Sequence, residues 1–230
     1  MERLILFDID GTLTRTQNGY IPFNQAILET FKVAGDIRSV FPDGVTDPRI
    51  LDEIFAAART EIMVSADHLL QFAVNLQRCY IGALHQGMTI VRALGGVPDL
   101  LEQLSLCGVA SQGVVTGNFE VTAKIKLAAA GLASHLTFGA FASDSCHRPD
   151  LPAIARNRWQ NTARREISPE RCIIVGDTPK DLEAARVNGM KCVLVGTGRY
   201  PVEELQYYSP DACVADLTDT AAMMELLLRL

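Results

Sequence analysis

Four apolar residues, Leu4-Ile5-Leu6-Phe7, run directly into Asp8-Ile9-Asp10-Gly11-Thr12. Such a run reads as a buried strand, and in extended backbone residues i and i+2 face the same way. If the extended chain lasts through Asp10, both carboxylates therefore look to one side. Open parallel sheets take their ligands at the carboxyl ends of their strands, and Gly11 permits a sharp turn there. Two aligned carboxylates at such an edge suit a hard cation with oxygen ligands. They also suit a nucleophile beside an acid/base. Asp-Gly is in addition a common turn pair, so the other apolar runs decide the reading.

Three further segments lie at or near the ends of apolar runs. Val114-Val115-Thr116-Gly117-Asn118 ends in a hydroxyl and a glycine, and His147-Arg148-Pro149-Asp150 supplies a cation before a helical stretch. Ile173-Ile174-Val175-Gly176-Asp177-Thr178-Pro179-Lys180-Asp181 closes on two more acids. In this order the four segments resemble the motifs of the haloacid dehalogenase-like (HAD) superfamily, over essentially the whole chain. The third departs from the family pattern, which usually places a lysine where this chain has Arg148. The resemblance is to the branch of phosphoglycolate phosphatase-like and β-phosphoglucomutase-like members. It implies an α/β fold, a Rossmann-like, mostly parallel sheet core with an inserted α-helical cap domain.

The rest of the chain agrees with that layout. From Thr14 to His85 the pattern is helical, with Ile27, Phe31 and Ala34 at helical spacing, then Ile50, Leu51, Ile54 and Phe55, then Leu69 to Leu76. Asp47-Pro48 reads as an N-cap followed by proline at the first helical position. No strand is expected in this block. After Met88, strands at 109–115, 136–138, 172–175, 192–195 and 212–214 alternate with helices, as a parallel sheet covered on both faces requires. The expected division is a catalytic core of residues 1–13 and 88–230 and a cap of 14–87, with hinges near 13–16 and 84–90.

The 230 residues are 48% apolar, enough for one core and a smaller appended unit. A net charge of −6 argues against nucleic acid as a generic partner. The six cysteines form no C-x-x-C pair, and no stretch approaches a membrane span. The first apolar run is broken at once by Asp8 and Asp10, so it is no secretory signal. These features predict a cytoplasmic protein with no nucleic-acid and no membrane partner.

The family resemblance implies the roles. Asp8 is the nucleophile that forms an aspartyl-phosphate, and Asp10 is the acid/base, its main-chain carbonyl also binding the metal. Thr116 holds a phosphoryl oxygen, and Arg148 neutralises it, with Lys124 and Lys126 as fallback cations. Gly11, Thr12, Gly117 and Asn118 bind substrate, and so does Thr46 in a Gly-x-Thr-Asp loop at 44–47. Asp8, Asp10 and Asp177 ligate Mg2+, with Asp181 acting through water or by orienting its neighbours. Thr116 and Asn118 are also good helix caps, and helix-start acids such as Asp181 are favoured by the macrodipole.

The expected activity is Mg2+-dependent hydrolysis of a small-molecule phosphate ester, phosphoglycolate-like metabolites coming first by resemblance. A sugar phosphomutase and a non-catalytic binding module of the same fold are the alternatives. Phosphonoacetaldehyde hydrolase chemistry needs a cap lysine, and Lys32, the only lysine between Thr14 and His85, lies outside the specificity loop.

Overall fold

A computed structural model describes residues 2–230. Its elements are β1 (Arg3–Phe7), β2 (Thr14–Gln17), α1 (Tyr20–Phe31), α2 (Asp47–Ala57), α3 (Ala66–His85), β3 (Ile90–Ala93), α4 (Val97–Leu106) and β4 (Ala110–Val115). There follow α5 (Glu120–Ala129), β5 (Gly139–Ala140), α6 (Leu151–Ala163), β6 (Cys172–Gly176), α7 (Pro179–Val187), β7 (Lys191–Val195), α8 (Val202–Leu205), β8 (Ala212–Val214) and α9 (Thr220–Arg229).

The strand pleat explains why Leu4–Phe7 of β1 are all apolar. Ile5 and Phe7 join a cluster that includes Leu100, Leu104 and Leu127 on one face of the sheet. Leu4 and Leu6 join Leu151, Trp159 and Leu182 on the other. The sheet order is β5-β4-β1-β6-β7-β8, and every pairing is parallel. Later strands add to both sides of β1, so the order reverses there, which is where such sheets open a crevice. Phe7 lies opposite both Val114 and Val175. The carboxyl ends of β1, β4 and β6 are therefore level, at neighbouring spacings of about 4.8 Å.

The inserted helical cap has its own core. Phe23, Ile27, Leu51, Ile54, Phe72 and Leu76 from α1, α2 and α3 pack together, with Phe23 edge-on to Phe72 at 5.2 Å. Phe119, at the start of α5, reaches into this cluster.

Three local expectations are corrected. No strand is expected between Thr14 and His85, yet β2 pairs antiparallel with β3, from Thr14 opposite Ala93 to Gln17 opposite Ile90. Strand β2, Thr14-Arg15-Thr16-Gln17, is polar throughout and carries no apolar alternation to betray it. The strand expected at 136–138 lies at Gly139–Ala140. Leu136 is buried without joining the ladder, because hydrophobicity reports burial and not backbone pairing. Asp47 is not a cap: Thr46 takes the N-cap position with extended backbone, and Asp47 is the first helical residue. Among the described residues, no helix is long and apolar enough to cross a membrane.

Candidate active site

The level strand ends gather two acidic clusters, each with its own cation. Asp8 follows β1 and is buried, its amide donating to the Val175 carbonyl at 2.9 Å. Arg148 occupies a short 3-10 turn and is also buried. Its Nη2 lies 3.2 Å from Asp8 Oδ1 and donates to Asp181 Oδ1. Asp181, in the first turn of α7, accepts with Oδ2 from the Thr178 amide at 3.0 Å and hydroxyl at 2.7 Å. Both oxygens of Asp181 are thus engaged. Asp177 follows β6 and accepts from the Thr12 hydroxyl through Oδ1 at 3.2 Å. A Cβ on Gly198 would overlap the Asp177 carboxylate, so only glycine leaves it room.

The second cluster centres on Asp10. Extended backbone stops at Phe7, and Gly11 turns the chain at φ +82°. Asp10 nevertheless lines the same cavity as Asp8, by way of a turn instead of a strand. Its Oδ2 meets Lys126 Nζ at 2.6 Å and accepts from Asn118 Nδ2 at 2.8 Å, while Thr16 donates to Oδ1 at 3.3 Å. Lys126 also donates to Asn118 Oδ1 at 2.7 Å, and Asn118 Nδ2 donates to the buried Thr116 hydroxyl at 2.8 Å.

Lys126 thus holds Asp10, while Arg148 alone faces Asp8. Lys124 is exposed and pairs with Glu120 on its own helix. The sequence carried a signal for Lys126: it sits with Thr122, Ala123 and Leu127 on the buried face of α5, where an unpaired lysine is costly.

The electrostatics follow from this division. Burial pushes Asp8 up to about 7; Arg148 opposes it, while Asp181 and Asp10 add to it. Asp177 is pushed up to about 9 by burial and then by Asp8 and Asp181. Burial also acts on Asp10, but Lys126, Asn118 and Thr16 outweigh it and hold its carboxyl below the usual range. Lys126 is held above its ordinary value, Asp10 and Tyr80 overcoming burial. Asp181 and Asp8 do the same for Arg148.

Asp8, Asp177 and Asp181 each present an oxygen within 4.8 Å of the others, all buried. Three crowded carboxylates share one guanidinium, so the set lacks positive charge. A hard divalent cation with oxygen ligands supplies it. Asp181 has both oxygens engaged, whereas Asp8 accepts from Arg148 and the Ile9 amide and Asp177 from the Thr12 hydroxyl. The donor set therefore fits a metal held by Asp8 and Asp177, with Asp181 orienting Arg148.

Above these clusters lies a cavity of 490 Å3 between cap and core. Asp8, Asp10, Thr116, Gly117, Asn118, Arg148 and Asp177 line it, whereas Gly11, Thr12, Thr46 and Asp181 stand behind its wall. Thr46 is buried and donates to the Cys146 carbonyl at 2.7 Å. Gly117 allows the cap loop to lie on the core, since a Cβ there would strike the Val45 backbone. The Asp47 amide closes this contact by donating to the Gly117 carbonyl at 2.7 Å.

A haloacid dehalogenase-like hydrolase model matches residues 5–186. The chain belongs to this family. It is 28% identical over 202 residues to tyrosine-protein kinase PtkA of Mycobacterium tuberculosis, across 85% of this chain and 62% of that protein. The chain thus spans less than two thirds of that relative. With probable phosphatase IndB of Dickeya dadantii it shares 27% identity over 240 residues, covering 100% of this chain and 96% of that one. A hydrolase from Pseudomonas syringae has the same fold, with TM-score 0.70 and 20% identity over 98% of this chain and 99% of that one.

Proposed function

We propose that the protein is a Mg2+-dependent phosphatase acting on a small-molecule phosphate monoester, with residues 14–87 as the cap that closes over the substrate. The observation that carries this reading is the buried Asp8, held opposite Arg148 beside Asp177 at the end of the cavity. The full-length likeness to a probable phosphatase supports it.

In this reading, Asp8 attacks phosphorus and the ester oxygen leaves with a proton from Asp10, which substrate binding must first protonate because Lys126, Asn118 and Thr16 hold its carboxyl ionised in the free site. Water then attacks the aspartyl-phosphate and gives its proton back to Asp10. One hard displacement becomes two easier ones. Arg148 and the Thr116 hydroxyl neutralise and position the phosphoryl oxygens, and charge neutralisation with positioning supplies most of the rate in such transfers. Bound at Asp8 and Asp177, Mg2+ would add positive charge to the same oxygens.

The test is phosphate release from phenyl phosphate and a panel of small esters, with Mg2+ and with EDTA. Metal-dependent release that Asp8→Asn abolishes in a folded protein is expected. Release at the wild-type rate by Asp8→Asn would remove Asp8 as nucleophile.

A further inference from the structure

The cations of the cavity are already engaged, and this bears on which leaving groups fit. Four of the lining residues are cationic: Arg38, Lys126, Arg148 and Arg199. Arg38 forks onto Asp36, with Nη2 2.8 Å from Oδ2, and lies over the Tyr20 ring. Lys126 is held by Asp10, and Arg148 by Asp8 and Asp181. Arg199 sits 3.2 Å from Asp43. Five carboxylates face the same space: Asp8, Asp10, Asp43, Asp47 and Asp177. A phosphoryl dianion with one divalent cation uses the positive charge around Asp8. Arg38 and Arg199 are each paired with a carboxylate, so among the described residues a second anionic group on the cap side would have to displace Asp36 or Asp43 to meet a cation.

What the cap offers instead is apolar. Phe23, Ile50, Leu76 and Tyr80 are buried side chains along that wall. Among the buried cap residues of the lining, Asp47 is the charged exception, 7% exposed. Its Oδ2 accepts from the Phe119 amide at 2.8 Å, and no donor meets its Oδ1 among the described residues. Once ionised, a carboxylate oxygen open to a cavity accepts from a hydroxyl or amino group and repels an anion. The volume of 490 Å3 also exceeds what a two-carbon ester fills.

Building on the phosphatase reading above, we infer that the substrate is a phosphate monoester whose leaving group carries no second anionic group. That leaving group bears a hydroxyl or amino donor for Asp47 Oδ1 and lays an apolar or ring portion against Phe23, Ile50, Leu76 and Tyr80. This selects against phosphoglycolate and sugar bisphosphates.

The test compares kcat/KM at pH 8, with Mg2+, for phenyl phosphate, a hexose 6-phosphate, a nucleoside 5′-monophosphate, phosphoglycolate and a hexose bisphosphate. The better of the two uncharged, donor-bearing esters should exceed both anionic-leaving-group esters by at least 100-fold. Asp47→Asn keeps an acceptor for the Phe119 amide and turns the free acceptor into a donor. It should raise KM for the donor-bearing esters at least tenfold and narrow their advantage over phosphoglycolate. Preference for phosphoglycolate or the bisphosphate, or an Asp47→Asn effect equal on all esters, would overturn the inference while leaving the phosphatase reading intact. No release from any ester overturns both.

Discussion

Asp47 gives the most quantitative test of how the site is built. Burial pushes its carboxyl from an ordinary 3.8 up to about 7, against Lys126 and the Phe119 amide, which pull it down. The unfolded chain ionises Asp47 near pH 4, whereas the folded one keeps it protonated until near pH 7. Folding is therefore penalised increasingly as pH rises between these values, and the penalty is constant above them. Linkage puts it at about 2 kcal/mol at pH 5 and about 4 kcal/mol at pH 8.

Asp47→Asn removes the charge and keeps the acceptor for Phe119. In EDTA, its gain in stability over wild type should thus grow by about 2 kcal/mol from pH 5 to pH 8. Denaturant unfolding at the two pH values measures this directly. A gain independent of pH, or a wild type that is the more stable at pH 8, would show that Asp47 is not a desolvated carboxyl. A confirmed gain would mean the chain tolerates a costly group at the cavity wall, a pattern found at functional sites.

Arg148→Ala should lower turnover at pH 7 by at least two orders of magnitude, since charge stabilisation of this kind contributes about 10²–10³. Lys124→Ala, on the exposed face of α5, should stay within about twofold of wild type; the reverse result would exchange their roles. Lys126→Met removes the cation 2.6 Å from Asp10 and should lower kcat at least tenfold, the scale of acid–base contributions. The same variant should shift the pH profile with little change in KM, and an unmoved profile would deny it a positioning role. Mg2+ at a hundred times its Kd should raise Tm by about 5–10 °C, and Asp177→Asn should abolish the rise. Equal stabilisation of that variant would place the metal elsewhere.

Local sequence determined the strands that carry the site. An apolar run that ends in charge must bury its body and expose its end, so Leu4–Phe7 and Cys172–Val175 located Asp8 and Asp177 without any knowledge of packing. The same reasoning brought Thr116 to the adjacent strand end. Which cation meets which acid was not legible. Asp10 and Lys126 are 116 residues apart, and their pairing exists because α5 turns its buried face towards the Gly11 turn. Asp47 read as a cap on local chemistry, yet its carboxylate crosses to the Phe119 amide, 72 residues away. Ribbon β2–β3 was hidden for a related reason: β2 is polar throughout and pairs with a strand more than 70 residues away, so it leaves no hydrophobic period. Periodicity and strand ends are properties of neighbouring residues, so sequence alone determines them. The charge balance of a cavity depends on distant groups brought within a few ångströms, and only the tertiary structure decides that.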